Sequence, residues 1–242
     1  MSRMNRLLTR AACAVLFVFA QAVSAATPAT ATAPIAAAER TIVLVRHGNY
    51  VADPAADPQL GPGLSPLGVA QAHLVGARLA GSGVRFDALY ASPLQRARET
   101  AAVIGEDFPG RRFDVIDDLA ECTPPTRRAS IMAGEAADQL AACQAQLERV
   151  FAAYFKPAAG APRTELFVCH GNVIRYLVVR ALGVDPTSWL ELSVGHASIT
   201  TIHIAADGSM QVTSAGDVGH LPASLRTGSS ADPARSLAVP AL

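Results

Sequence analysis

TIVLVRHG, residues 41–48, is the stretch of this sequence that decides the fold. Residues 41–45 are apolar or β-branched without alternation, which is typical of a strand buried on both faces of a parallel sheet. A second run of this kind, ELFVCHG, spans residues 165–171. Each run ends in a histidine and a glycine. Because ligands of open parallel sheets bind at the carboxyl ends of strands, we expect His47 and His170 to lie together at one edge.

Segments with helical periodicity alternate with the predicted strands. Ser65 and Pro66 form a helix start signal, a short strand is predicted at residues 88–90, and a hairpin turn at Asp207 and Gly208 closes the sheet. This order predicts an α/β fold, a three-layer αβα sandwich with a mostly parallel central sheet and an antiparallel closing strand. Apolar residues recur at helical spacing in four segments, residues 67–77, 94–104, 140–154 and 174–182.

The N-terminal residues have the layout of a secretory signal peptide. Arg3, Arg6 and Arg10 precede an apolar run at residues 11–22, and small residues follow as far as Ala25. We therefore predict a signal peptide over residues 1–25 and a periplasmic or secreted protein that meets the membrane only through this signal. An uncleaved membrane anchor is the alternative.

The composition is that of one globular domain without a large net charge. The chain holds 20 basic and 20 acidic residues, and half of its residues are apolar. Such a chain is not suited to coat nucleic acid, so any attraction for phosphate must be local. The predicted divisions are a flexible leader at residues 26–39, the domain at residues 40–224 and a flexible tail at residues 225–242.

Three cysteines follow the predicted signal peptide: Cys122, Cys143 and Cys169. None has the close spacing of metal ligands, so no metal site is predicted. Cys169 ends a buried strand and is expected to be a free thiol. In an oxidising compartment this leaves a disulfide between Cys122 and Cys143 as a hypothesis.

The residues near the two histidines indicate a site for a phosphoryl group. Arg46 precedes His47, and Arg96 lies in the first turn of a predicted helix, where backbone amides and the helix dipole favour an anion. Arginine can bind phosphate oxygens through two N–H groups at once. A solvated surface charge is the alternative for Arg96.

Ester cleavage also needs a proton for the leaving oxygen. Glu121 lies in the long irregular segment of residues 111–136, a kind of segment that is often functional. A carboxyl group beside phosphate and shielded from water has a raised pKa and can act first as acid and then as base. Asp117 and Asp118 are competitors that the sequence does not separate from Glu121. The histidines outside these motifs are expected to be structural or surface residues: His73, His196, His203 and His220.

Together these motifs resemble the histidine phosphatase (phosphoglycerate mutase-like) superfamily. RHG at residues 46–48, SPLQRARET at residues 92–100, Glu121 and HG at residues 170–171 stand in that family's order. A closer resemblance is to the phosphoglycerate-mutase-like serine/threonine-protein phosphatases known from mitochondria. It is carried by CHGNVIRY at residues 169–176, and the likeness extends over roughly residues 40–224.

The resemblance implies a role for each matched residue. His47 would be the nucleophile that accepts the phosphoryl group, and Glu121 would be the proton donor. His170 would take part in catalysis and bind phosphate, as a cation or by sharing a proton. No metal or other cofactor is expected. The other phosphate ligands would be Arg46, Arg96 and Asn49.

The resemblance also implies a reaction, the hydrolysis of phosphomonoesters through a phosphohistidine intermediate. The expected substrates are phosphoserine and phosphothreonine in proteins, or small phosphate esters. Alternatives are a phosphatase for phosphohistidine or sugar phosphates, and an inactive phosphate-binding module. Asn49 and Tyr50 depart from the pattern of the mutases, which disfavours a mutase. Four arginines flank the Glu121 segment and either steer phosphopeptides or form a solvated loop: Arg111, Arg112, Arg127 and Arg128.

Overall fold

The computed structural model of the protein describes residues 36–228. The predicted signal peptide, most of the predicted leader and the residues after Gly228 lie outside this part of the chain. Between residues 36 and 228, no helix combines the length and the apolar character that crossing a membrane requires.

A mixed six-stranded sheet forms the centre of the fold. Its order is β4-β3-β6-β2-β7-β8, and β1 pairs with β5 outside it. Strands β4, β3, β6 and β2 are parallel neighbours, whereas β7 is antiparallel to β2 and β8 is antiparallel to β7. The mostly parallel sheet with an antiparallel closing part is confirmed. The strands are β1 (Ala37–Ala38), β2 (Arg40–Arg46), β3 (Ala88–Ala91), β4 (Asp114–Val115), β5 (Ala158–Ala159), β6 (Arg163–Cys169), β7 (Ile199–Ile204) and β8 (Met210–Asp217).

The first helix begins where the sequence places its start signal. The Ser65 side chain caps the first helix by accepting from the Gly68 N–H at 3.1 Å, and Pro66 lies in its first turn. The shortest helix, in the segment of residues 111–136, was not predicted because it is too short to show apolar periodicity. The helices are α1 (Pro66–Gly81), α2 (Gln95–Gly105), α3 (Ala129–Met132), α4 (Ala137–Tyr154) and α5 (Gly171–Ala181), with 3₁₀ turns at Asp117–Leu119, Pro186–Glu191 and Ala223–Leu225.

Alternate residues of the central strands face opposite helical layers. Ile42 and Leu44 of β2 pack in one core with residues of α4 and α5. Val43 and Val45 pack in the other core with residues of α1 and α2. Both faces of β2 are therefore buried, which explains why its sequence shows no alternation. The predicted three-layer αβα sandwich is confirmed.

The strand register brings three chain segments to one edge of the sheet. Arg46, the last residue of β2, lies opposite Cys169, the last residue of β6. Val45 lies opposite Ile199, the first residue of the antiparallel strand β7. The residues that follow β2 and β6 and those that precede β7 therefore meet at the same edge.

Helix α4 holds the segment that carries Glu121. A disulfide joins Cys122 to Cys143 of α4, with their Cα atoms 5.7 Å apart, and Cys169 is a buried free thiol. Both cysteine predictions are confirmed. On the next turn of α4, Gln146 donates to two backbone carbonyl groups of the same segment, each at 2.9 Å.

The packed domain extends past both predicted boundaries. Ala37–Ala38, placed by sequence in the leader, pair with Ala158–Ala159. Alanine has little strand preference, so no local pattern marks this pair. At the other end, residues 225–228 were assigned to the flexible tail by their composition, but Thr227 is buried and this segment bonds to α1. Contacts with distant parts of the chain order it.

Candidate active site

The two strand-end histidines lie side by side. His47 follows β2 and His170 follows β6, and their ring centroids are 5.0 Å apart. Both side chains are buried, and Arg46 and Arg96 are close enough to lower the pKa of each ring. Four residues predicted from three separate motifs therefore form one cluster at the carboxyl edge of the parallel strands.

The neighbours of His47 determine which of its nitrogen atoms carries hydrogen. Its Nδ1 lies 2.8 Å from the carbonyl oxygen of Gly48, and because a carbonyl only accepts, Nδ1 carries the hydrogen of the neutral ring. Nε2 then presents a lone pair, to which Arg96 Nε donates over 3.2 Å. Burial, and then the charges of His170 and Arg46, lower the pKa of His47 well below its ordinary value of 6.5. The ring is neutral at neutral pH.

The backbone after His47 lies against the first turn of α1. A Cβ atom at Gly48 would stand 2.5 Å from the carbonyl oxygen of Gly68, so the approach requires glycine. The Gly48 N–H donates to Thr100 Oγ1 at 3.0 Å, and this hydroxyl donates to the Arg96 carbonyl at 2.7 Å. The loop that holds His47 and the helix that holds Arg96 are thus bonded to each other.

Arg46 is held by three acceptors. Its Nη1 donates to the carbonyl oxygens of Val194 at 2.6 Å and Gly228 at 2.9 Å, and its Nη2 donates to His196 Nε2 at 3.1 Å. Burial is the main cause that lowers the pKa of Arg46, to about 10. The guanidinium therefore remains charged at neutral pH in a fixed orientation.

Glu121 lies where a proton donor to this cluster would be expected. The backbone N–H of Asn172, in the first turn of α5, donates to Glu121 Oε1 at 3.2 Å. Burial raises the pKa of Glu121, and the charges of Arg46 and Arg96 oppose this rise without cancelling it. A carboxyl group with a raised pKa keeps its proton closer to neutral pH, as a general acid must.

The structure separates Glu121 from its two competitors. Asp118 pairs with Arg149 through two hydrogen bonds of 2.9 and 2.6 Å, and that contact lowers the pKa of Asp118. Asp117 is exposed to solvent. Glu121 contacts the helix that follows His170, and its pKa responds to the charges of the site arginines. We therefore retain Glu121 alone as the candidate acid.

The protonation of His170 differs from the expectation. Its Nε2 lies 2.6 Å from Ser92 Oγ, and its buried Nδ1 has no hydrogen-bond partner among the described residues. Burial, and then the charges of Arg96 and Arg46, lower the pKa of His170 well below 6.5. The ring was expected to be cationic or to share a proton, whereas this environment favours the neutral form. Nδ1 remains able to bond to an oxygen of an anion.

Asn49 is bonded to other parts of the protein. Its Oδ1 accepts from Ser65 Oγ at 2.7 Å, and its Nδ2 donates to Thr227 Oγ1 at 3.5 Å. These contacts engage Oδ1 and one Nδ2–H, so the second Nδ2–H can still donate to an anion, and Asn49 as a phosphate ligand stays a prediction. Its contacts connect the loop after His47 to α1 and to the C-terminal segment.

Several residues of the site were not found from the sequence. His196 was assigned a structural or surface role, but its ring centroid lies 5.4 Å from that of His47, and it bonds to Arg46. It precedes β7, and the one available signal was that an antiparallel strand begins at the edge where parallel strands end. The other residues missed are Tyr50, Ser92, Arg175 and Thr227.

Arg175 and Tyr50 add a cation and an aromatic wall. Arg175 of α5 is buried, its Nε has no hydrogen-bond partner among the described residues, and its charge reaches Glu121. The Tyr50 ring lies 5.4 Å from that of His47 and 5.0 Å from the guanidinium carbon of Arg96. The cluster combines a neutral imidazole, several guanidinium groups and one carboxyl group, which suits a tetrahedral anion. Within residues 36–228, no group of His, Cys, Asp and Glu side chains is arranged to hold a metal ion.

Comparison with known proteins agrees with this geometry. A sequence profile of the histidine phosphatase superfamily (branch 1) matches residues 42–217. Serine/threonine-protein phosphatase Pgam5, mitochondrial, of Caenorhabditis elegans is 36% identical over 199 residues, which cover 77% of this chain and 66% of the relative. Its namesake from Homo sapiens is 37% identical over 192 residues, with coverages of 77% and 65%. The chain thus spans slightly less than two thirds of these relatives.

A solved structure supports the fold assignment. The phosphoglycerate mutase from Plasmodium falciparum superposes with a TM-score of 0.54 at 27% sequence identity, covering 76% of this chain and 95% of the mutase. The phosphoglycerate mutase-like fold inferred from the motifs is confirmed.

The names of the relatives correct one prediction. They describe mitochondrial proteins, so the prediction of a signal peptide and of a periplasmic or secreted location was wrong. The physical reason lies in the N-terminal pattern itself. Arg3, Arg6 and Arg10 without any acidic residue are common to secretory signals and to mitochondrial presequences, so this charge pattern does not distinguish the two.

Proposed function

Because this chain belongs to branch 1 of the histidine phosphatase superfamily and is a phosphatase by family, we propose that it hydrolyses phosphate monoesters through a phosphohistidine on His47. The observation that carries the proposal is the state of this ring. It is neutral, its Nε2 bears a lone pair, and Arg96 directs an N–H at that atom. A neutral imidazole is a better nucleophile than water at neutral pH. Transfer of the phosphoryl group to His47 and its later hydrolysis therefore replace one difficult direct attack by water.

In the first step, His47 Nε2 attacks phosphorus in line with the ester oxygen. A P–N bond forms while the P–O bond to the leaving group breaks. Arg96 Nε–H leaves His47 Nε2 for a non-bridging oxygen, and Arg46 offers another oxygen its Nε–H, which has no hydrogen-bond partner among the described residues. The two guanidinium groups neutralise the charge of these oxygens, which is most of what phosphoryl transfer needs from a protein. Glu121 gives its proton to the leaving oxygen, so that an alcohol departs.

In the second step, water hydrolyses the phosphohistidine. The Glu121 carboxylate left by the first step removes a proton from the water as its oxygen attacks phosphorus. The P–N bond breaks, inorganic phosphate leaves, and His47 returns to its neutral form. The guanidinium groups supply the positive charge that a metal ion supplies in other phosphatases, so we propose that the reaction needs no metal.

Phosphoserine and phosphothreonine in proteins are the proposed substrates. The support is the name of the relatives, which describes them as serine/threonine-protein phosphatases. The basic flank of the Glu121 segment adds little, because Arg128 bonds to Glu191 at 3.2 Å and Arg127 lies 3.9 Å from the same carboxylate. The single Glu191 carboxylate offsets one of these two positive charges, so this flank gives only weak support for docking of phosphopeptides.

Trapping the intermediate tests the chemistry. Wild-type protein mixed with a labelled aryl phosphate and quenched within one turnover should carry phosphate that is stable to alkali and labile to acid. The His47→Ala variant should carry none and should lose essentially all turnover, whereas His73→Ala, at an exposed position, should match wild type. Turnover should persist in excess chelator. Phosphate bound to a group other than histidine would contradict the mechanism.

A substrate panel tests the specificity. We expect kcat/KM for phosphoseryl and phosphothreonyl peptides to exceed the values for sugar phosphates and phosphohistidine. A preference for either of the latter would leave the mechanism intact and replace the substrate. Failure to turn over any member, with phosphate still bound, would identify an inactive phosphate-binding module instead.

A further inference from the structure

A closed ring of buried and partly buried hydrogen bonds starts and ends in the chain on either side of His47. On one side, the Asn49 backbone N–H donates to Gln71 Oε1 at 2.7 Å, and Gln71 Nε2 donates to Thr227 Oγ1 at 3.0 Å. On the other side, Arg46 Nη2 donates to His196 Nε2 at 3.1 Å, and His196 Nδ1 lies 3.0 Å from Thr227 Oγ1. Thr227 is the residue where the two halves meet.

The direction of each bond in the ring follows from its members. A guanidinium only donates, so His196 Nε2 must accept from Arg46 and bears no hydrogen. Burial and the site arginines lower the pKa of His196 to about 2, so the neutral ring carries its hydrogen on Nδ1. That N–H donates to Thr227 Oγ1, which also accepts from Gln71 Nε2. Arg46 thus fixes the tautomer of His196, and the Thr227 hydroxyl, as the acceptor of the Nδ1–H, holds the ring in position.

The same short segment bonds to the site through its backbone. The His196 N–H donates to the Thr227 carbonyl at 2.9 Å, and Arg46 Nη1 donates to the Gly228 carbonyl at 2.9 Å. Gly228 has a φ of +67°, and a Cβ atom there would stand 2.5 Å from His196 Nδ1. Residues 227 and 228 therefore shape the surroundings of His196 and Arg46 by both polar contact and close packing.

We propose that Thr227 and Gly228 are positioning residues of the phosphate site, which hold His196 and, through it, the Arg46 guanidinium in the orientation that receives a phosphoryl group. This inference rests on the proposed phosphatase function. A buried hydrogen-bond network in a low-dielectric site loses more than one bond when one member is removed, because the remaining donors are left unpaired. Loss of the Thr227 hydroxyl would leave His196 Nδ1–H, one Gln71 N–H and one Asn49 N–H without their acceptor.

The first test compares Thr227→Val with Thr227→Ser. Valine keeps the shape and removes the acceptor, whereas serine keeps the hydroxyl. We expect Thr227→Val to raise both the KM for an aryl phosphate and the inhibition constant of inorganic phosphate, by about tenfold. We expect Thr227→Ser to restore both values. Thr213→Val, at an exposed position of β8, is the matched control and should equal wild type.

The inhibition constant separates positioning from mere loss of folded protein. A variant that is only partly folded has a lower apparent kcat, but its folded fraction binds phosphate as wild type does. If Thr227→Val lowers the amount of active enzyme and leaves the inhibition constant unchanged, or if serine does not restore it, the inference is overturned. A wild-type protein that neither hydrolyses aryl phosphate nor binds phosphate would overturn the proposed function, and this inference with it.

The second test uses two glycines with the same backbone conformation. Gly228 and Gly183 have φ angles of +67° and +68°, but a Cβ atom at Gly183 would meet nothing within 4 Å. Gly183→Ala should therefore show the backbone strain alone, with an unchanged inhibition constant. Gly228→Ala should add displacement of His196 and raise that constant several-fold. Equal constants for the two variants would contradict a positioning role of Gly228.

Discussion

The disulfide between Cys122 and Cys143 adjoins Glu121, and we expect its removal to destabilise the domain. The double variant Cys122→Ala/Cys143→Ala is the perturbation. The two cysteines are 21 residues apart in sequence, and the chain-entropy relation for a loop of that length gives about 3 kcal/mol. For a domain of this size, that loss corresponds to a decrease in Tm of roughly 10 °C.

Turnover should change much less than stability. Gln146 still bonds to two carbonyl groups of the Glu121 segment, and Asn172 Nδ2 still donates to the backbone carbonyl of residue 122 at 3.1 Å. These bonds do not depend on the sulfur atoms. Glu121 should therefore keep its place in the folded fraction, and kcat measured well below the Tm should stay near the wild-type value.

Thermal unfolding with and without a reductant measures the effect. The Tm of wild type should fall in the reductant to that of the double variant, whose own Tm should not respond. Cys169→Ala, which removes the buried free thiol, should keep the reductant-dependent shift. The reasoning would be refuted if intact-mass measurement found three free thiols in the native protein, or if the Tm of wild type did not change in the reductant.

The remaining predictions concern the site. Glu121→Gln should lower kcat/KM for alkyl phosphates by about 10²–10⁴ and leave kcat/KM for aryl phosphates nearly unchanged, because an aryl oxide departs without a proton. The variant should also lose the alkaline limb of the pH profile, because the raised pKa of Glu121 sets the pH at which the acid is lost. An equal loss on both ester types would exclude this acid. As the pH is lowered below 6.5, the free energy of unfolding should fall by up to ~4 kcal/mol per pH unit. The reason is that three buried histidines, His47, His170 and His196, have lowered pKa values and take up protons only on unfolding. A free energy of unfolding, measured with denaturant, that stays constant down to pH 5 would contradict this. Gly48→Ala should lose activity through its clash with α1, unlike Gly81→Ala, whose Cβ meets nothing within 4 Å; equal activities would show that the approach is not needed.

The parts of the fold that were predictable are those that one local pattern specifies. Strands β2 and β6 are buried on both faces, so their runs of apolar residues identified a parallel sheet, and parallel register then placed His47 beside His170. Arg96 followed from its position at a helix start. Strand β1 was missed because it consists of two alanines, and alanine has little preference for strands.

The parts of the site that were missed depend on contacts between distant segments. Arg46 bonds to His196, which is 150 positions away, and Gln71 bonds to Thr227, which is 156 positions away. No periodicity or residue spacing in the sequence indicates that such distant residues are in contact. The choice of Glu121 over Asp118 also required the tertiary structure, because only burial and the partners of each carboxyl group distinguish them.

The charges of the site favour one type of ligand. Arg46 and Arg96 contribute to the lowered pKa values of His47, His170 and His196, so these rings add no positive charge of their own at neutral pH. The positive charge is therefore concentrated in guanidinium groups whose orientation is set by hydrogen bonds. In the acid form that the proposed first step requires, Glu121 adds no negative charge to balance them. A phosphomonoester dianion supplies two negative charges at one phosphorus, whereas a phosphodiester supplies one. On the proposed mechanism, the arginines that add to the effect of burial on the pKa of His47 are therefore expected to favour monoesters over diesters.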